Sequence, residues 1–146
     1  MFRRLPVGRT VCPINDGNER EQALQLMALL PLTCLCLFDR GYPSYAFIKA
    51  LMQQPSRYFI MRCPAQSTFP AVETFVKSGA KEGLIWLMPS DTFKRGLTKA
   101  ERKTLESIKL RIIRLTHADD TVSVLLAHLP DTTHFPCSSI IDLYYR

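Results

Sequence analysis

Apolar and polar positions along this chain follow two periods in turn. From Glu19 to Leu30 the apolar residues Ala23, Leu24, Leu26, Met27 and Leu30 recur at the spacing of one helix face. Asn18 stands where an N-cap belongs, and Glu21 follows at the spacing of a capping box. Asp16-Gly17 marks the turn before this helix, and Pro31 should end it. Thr33 to Phe38 (T-C-L-C-L-F) is short and continuously apolar, which predicts a strand buried on both faces. Pro43 suits the first turn of a second helix, with Phe47, Ile48 and Leu51 on its apolar side. Arg57 to Cys63 reads as the next strand. The order helix, strand, helix, strand predicts a sheet layered with helices, an α/β fold.

Beyond Cys63-Pro64 the pattern shifts towards strands. A short helix over Ala71 to Lys77 should stop at Ser78-Gly79. Gly83 to Met88, Leu110 to Thr116 and Thr121 to Ala127 read as strands, the last two joined by a hairpin turn at His117-Ala118-Asp119-Asp120. Trp86 lies in an apolar strand and is expected in the core. Between the first two of these strands runs a polar, basic stretch. Ser138 or Ser139 should cap a final helix running into Arg146, with neither Gly nor Pro to stop it.

Composition narrows the class. A chain of 146 residues with 47% hydrophobic and 22% charged residues has the balance of one ordinary globular domain. Its longest apolar stretch, Leu26 to Phe38, is broken by Pro31 and Thr33 and falls short of the roughly 20 residues of a bilayer span, so no membrane partner is expected. Met1-Phe2-Arg3-Arg4 is basic, but Pro6, Gly8, Arg9 and Thr10 replace the apolar run of a signal peptide. Five cysteines, an odd number without a C-x-x-C pair, predict reduced thiols and a cytoplasmic location. Cys34 and Cys36 should share one strand face and pack there without bridging. The net charge of +6 favours a polyanionic partner.

The candidate chemistry begins at Asp39. An apolar strand delivers this carboxylate at its C-terminal end, where functional groups of open α/β sheets gather, and Arg-Gly-Tyr-Pro follows at once. Asp39 could hold a divalent cation, Arg40 could meet a phosphate, and Gly41 could adopt positive φ beside a ligand. Composition and spacing alone favour an aspartate that caps the next helix beside a solvated arginine.

The segment L-C-L-F-D-R-G-Y-P-S, with I-K-A-L shortly after, resembles the second-aspartate motif of DDE-type insertion-sequence transposases, the group marked by D-R-G-Y. Asn18-Glu19-Arg20-Glu21-Gln22-Ala23 resembles the G-E-R-E-x-A helix upstream of that motif, and Arg57 to Arg62 resembles its F-V-I-R strand. Leu110 to Arg114 and Val124 to Leu126 look like the β-rich insertion of that family. Ile140 to Arg146 resembles the start of its catalytic helix, with Tyr144 as the tyrosine of Y-x-x-R-x-x-x-E. The resemblance covers nearly the whole chain and is weaker over Lys81 to Ser107. It implies an incomplete ribonuclease-H-like core over residues 1–64, a β-rich insertion over 65–131, and over 132–146 the start of the helix that carries the catalytic Glu. It also implies DNA as the partner and Mg²⁺ as the cofactor, two ions clamping the attacking and leaving oxygens of a phosphodiester. Asp39 would be the catalytic and metal-binding second carboxylate. Arg40, Tyr42, Lys94, Arg95, Lys99, Arg102, Lys103 and Tyr144 would be the DNA-contacting residues.

The sequence departs from this pattern at two places. The family's Arg and Glu belong beyond Tyr144, and its first Asp belongs upstream of the capped helix, where Asp16 is the sole aspartate and reads as a turn residue. The expectation is therefore a transposase-derived chain that is inactive alone; a non-catalytic DNA-binding regulator retained from an insertion element is the alternative, and an unrelated small α/β protein ranks last. His117, His128 and His134 lack zinc-site spacing and read as surface or loop residues. If neighbouring strands of the sheet lie elsewhere, the Thr33 to Phe38 strand should expose an apolar edge and favour self-association.

Overall fold

The computed structural model describes residues 9, 11, 17–129 and 134–145, so Cys12 and Asp16 lie outside the described residues. It is a mixed α/β fold in which, among these residues, six helices surround one five-stranded sheet. The chain runs α1 (Glu19–Leu26), a 3-10 turn (Met27–Leu29), β1 (Cys34–Phe38), α2 (Tyr45–Met52), β2 (Arg57–Pro64), α3 (Pro70–Lys77), β3 (Glu82–Leu87), α4 (Asp91–Arg95), α5 (Lys99–Lys103), β4 (Ile108–Thr116), β5 (Val122–His128) and α6 (Cys137–Tyr145). Strand order is β1-β2-β5-β4-β3. β1 pairs with β2 in parallel, Cys36 opposite Phe59, and every other pairing is antiparallel. The sheet runs on past residue 64, because β5 pairs with β2 from Phe59–His128 to Pro64–Ser123.

Local chemistry explains most element ends. The Asn18 side chain accepts from the Arg20 and Glu21 amides and starts α1. The reciprocal capping box arises elsewhere: the Thr98 hydroxyl accepts from the Glu101 amide while the Glu101 carboxylate accepts from the Thr98 amide, opening α5. The basic stretch therefore folds as two short helices. α1 tightens into its 3-10 turn before Pro31, and the orphaned carbonyls of Leu30 and Pro31 accept from the buried Arg57 guanidinium. Gly79, at φ 73°, turns the chain out of α3 in a left-handed conformation open to glycine. α6 starts at Cys137, ahead of the expected serine cap, and the Ile140 amide bonds back to the Pro136 carbonyl.

The two sheet faces are covered unequally. On one, Phe38, Phe59, Met61, Cys63, Ile85, Leu87, Leu110, Ile112, Val124 and Leu126 pack against α1, α2 and α3 in the larger core. On the other, Ile60, Ile113, Leu115, Leu125 and Ala127 take Ile140 of α6. α6 covers the centre of that face and leaves its flanks open. Leu35 and Leu37 of β1 are 36% and 47% exposed, so β1 is an edge strand buried from one side only, contrary to the expectation of burial on both. Trp86 on the opposite edge is 52% exposed, with Lys109 Nζ 5.8 Å from its ring centroid; it is a surface residue, not the expected core residue. No helix among the described residues is long and apolar enough to cross a membrane. Cys34, Cys36, Cys63 and Cys137 are free thiols, with 3.8 Å between the sulfurs of Cys34 and Cys36 on their shared face.

Candidate functional site at the mouth of the sheet

β1 and β2 run in parallel, β1 ending opposite Met61 and β2 continuing to Pro64, so the residues that follow them share one end of the sheet. Asp39 leaves β1 at this end and is exposed. The loop behind it is fastened from α1: the Arg20 guanidinium donates to the carbonyls of Gly41 at 2.9 Å and Tyr42 at 3.0 Å. The Tyr42 amide closes a turn on the Asp39 carbonyl at 3.1 Å, and the Tyr42 ring joins Phe38 and Phe47 in an aromatic cluster with centroids 5.2 to 5.6 Å apart. Ser44 then caps α2 by accepting from the Phe47 amide. Asp39 is thereby left free of the capping role that spacing alone allowed it. Gly41 keeps an ordinary backbone, and a Cβ there would meet nothing within 4 Å, so the positive φ expected of it is not used.

The far end of the chain arrives at the same place. Tyr144 of α6 donates its hydroxyl to the Phe38 carbonyl at 3.3 Å, 106 positions away. Burial, then the neighbouring negative charge of Asp39, raises the Tyr144 phenol above its ordinary value, and the Arg62 guanidinium opposes that shift. Asp39 and Tyr144, singled out separately in the sequence, are thus neighbours. Arg40 lies beside them and lines two recesses at this end of the sheet. The larger, about 750 Å³, is bounded by Arg20, Arg40, Ser44, Phe69 and Ser90, so the starts of α2, α3 and α4 all face it.

The five cations of the basic stretch sit apart from this mouth. α4 and α5 rest on α2 through Phe93, 5.2 Å from the Tyr45 ring, and through the Tyr45 hydroxyl donating to the Glu106 carbonyl at 2.6 Å. Lys94 pairs with Asp91 at 3.3 Å, and Arg102 donates to the Leu97 carbonyl at 3.1 Å. Arg95, Lys99 and Lys103 are exposed, and none of the five lines a recess with Arg40.

Mg²⁺ can be tested against the donors present. Around Asp39 the chain supplies one carboxylate, one phenol hydroxyl and a guanidinium; among the described residues no three His, Cys, Asp or Glu side chains gather into a metal-holding group. Magnesium is held through carboxylates, waters and substrate phosphates, and two ions bring four positive charges that one aspartate beside an arginine cannot offset. The described residues alone do not fit a two-metal centre.

Sequence reasoning passed over Arg20, Arg62, His117 and Ser123. Two of these carried a usable signal, since Arg20 and Arg62 stand inside the very segments that resemble family motifs. His117 and Ser123 join the mouth only because the β4–β5 hairpin folds back beside β2, a non-local event. Comparison of the chain with protein-family models, curated proteins and solved structures finds no match.

Proposed function

We propose that this chain is a piece of a DDE-type transposase catalytic domain, an incomplete ribonuclease-H-like core that engages DNA in the cytoplasm and cannot cleave it alone. The observation that carries the reading is the meeting of Asp39, at the end of an apolar parallel strand, with Tyr144 near the end of the chain. Those residues were matched to two separate family motifs, and an unrelated fold would have no reason to join them. Arg20, from the third matched segment, fastens the D-R-G-Y loop. The open edge of β1 and its exposed Leu35 and Leu37 also agree with a core whose next strand is supplied from outside residues 34–145. In this reading Asp39 would hold Mg²⁺, which supplies activation of water and of a 3′-hydroxyl, once further carboxylates join it. The division into a core over 1–64, an insertion over 65–131 and a helix start over 132–146 belongs to the same proposal.

A second reading, a DNA-binding regulator without catalysis, is favoured by one observation. Arg95, Lys99 and Lys103 are exposed on α4 and α5, in a chain of net charge +6. Both readings require duplex binding. Fluorescence anisotropy with a labelled duplex should show affinity falling steeply with salt, log K dropping by about 0.9 per phosphate neutralised for each decade of salt. No binding at low salt would remove both. Replacing Lys94, Arg95, Lys99, Arg102 and Lys103 by Gln separates them: a regulator should lose most of its affinity, whereas a catalytic-domain fragment should keep the share that comes from the mouth.

A further inference from the structure

We infer that the recess between the end of β2 and the β4–β5 hairpin is a binding site for a phosphate oxyanion, built by Arg62, His117, Ser123 and Arg40. This recess, about 600 Å³, is lined among the described residues by two guanidiniums, an imidazole and several hydroxyl and amide groups, and by no carboxylate. Neither Arg40 nor Arg62 forms an ion pair among the described residues, although the chain elsewhere pairs Arg111 with Glu82 at 3.0 Å. Arg62 is half-buried, where a guanidinium without an anion is costly, and Arg40 is exposed beside it; the guanidinium is the group best matched to the planar fork of phosphate oxygens.

The donors are held in place before any ligand arrives. Ser123 is 7% exposed on β5, opposite Pro64 of β2, and shares a hydrogen bond of 2.7 Å with His117 Nε2. A nitrogen of the Arg62 guanidinium lies 3.5 Å from the same Nε2, so arginine from β2, hydroxyl from β5 and imidazole from the hairpin between β4 and β5 converge. Asp119, two residues from His117, is engaged with the Thr121 amide at 3.1 Å and hydroxyl at 2.6 Å, and Asp39, next to Arg40 in the chain, is not among the residues lining the recess. With Arg62 and Ser123 on β-strands and His117 in contact with both, the constellation is a preorganised oxyanion binder. The site stands on this geometry and does not rest on the DNA reading. A phosphate could reach it as a free ion or as part of a nucleic-acid backbone, and one experiment separates these sources.

The full chain is titrated with inorganic phosphate at constant ionic strength against chloride, following the His117 ring resonances by NMR. Saturable shifts with a millimolar dissociation constant are expected, and Arg62→Ala should weaken binding by about tenfold or more. Arg62→Lys keeps the charge, loses the fork, and should recover only part of it. Arg40→Ala, read from the same ring, and His117→Gln, read from the Ser123 amide resonance, serve as independent probes should Arg62→Ala unfold, each expected to weaken binding severalfold with the melting temperature unchanged. A wild-type response to phosphate no larger than to chloride would overturn the site. Phosphate binding lost in these variants, together with duplex DNA binding that none of them affects, would support a free-ion site and leave the DNA reading standing. Phosphate binding without duplex binding would support the site and remove the DNA reading.

Discussion

The mouth of the sheet and the α4–α5 segment are both cationic, yet they are organised on opposite principles. The segment holds five basic residues within ten positions, and its contacts are largely its own: Lys94 with Asp91, Arg102 with nearby carbonyls, Thr98 with Glu101. The mouth holds fewer charges, gathered from α1, β1, β2, the β4–β5 hairpin and α6 by contacts that span up to 106 positions. A run of like charges is ordinarily a solvated face. Charges carried to one place by separate elements require the whole fold, and that convergence is the stronger mark of a site.

The comparison breaks most readily through the core under the mouth. Ile140 is 1% exposed and fixes α6 against Ile60, Ile113 and Leu125, so Ile140→Ala should cost about 2–5 kcal/mol in urea unfolding. It should also free Tyr144 from the Phe38 carbonyl, seen as a fall of the phenol pKa towards its ordinary value. A variant that keeps both stability and phenol pKa would show that α6 is not seated where the mouth needs it.

Alkaline titration is the next probe. Burial pushes the Cys63 thiol up to about 11 and, with Cys34 beside it, the Cys36 thiol up to about 12, from 9.0 in the unfolded chain. A group whose folded pKa is raised contributes stability that is complete below the unfolded value and is lost as pH climbs through the folded one. Stability should therefore hold up to pH 9 and fall between pH 9 and 12, and Cys63→Ala should flatten part of that fall. A flat profile over this window would contradict the burial of both thiols.

Smaller effects sharpen the contrast. Arg20→Ala removes two hydrogen bonds to the Asp39–Pro43 turn, both exposed, and should cost about 1 kcal/mol. Amide exchange should speed in residues 39–44 and stay unchanged in α5. Thr98→Ala deletes the capping box and should loosen α5 by about 1 kcal/mol locally, with global stability and exchange at the mouth unaltered. If Thr98→Ala disturbed the mouth, the two regions would be coupled and the contrast between them would fail.

The elements themselves were largely legible in the chain. Each expected strand appears within about two residues of its expected bounds, because burial against a sheet imposes the same apolar runs that mark a strand. α1 was legible through Asn18 and Pro31, and α2 through its apolar face. The basic stretch hid α4 and α5, each five residues long, too short for a period to show. The same apolar run that revealed β1 misled about its surroundings: T-C-L-C-L-F reads alike at a sheet's centre and at its edge, and only strand order put Leu35 and Leu37 at the surface. Trp86 misled for the same reason.

Sequence alone determined that Asp39 follows a strand, that Arg-Gly-Tyr-Pro follows Asp39, and that the chain is basic, since these depend on neighbours along the backbone. Only the tertiary structure decided that Tyr144 stands beside Asp39, that Arg20 fastens its loop, and that His117 and Ser123 meet Arg62. Hydrogen bonds and electrostatic fields act across a few ångströms of space, and residues far apart in the chain come that close only once strand order and helix docking are settled.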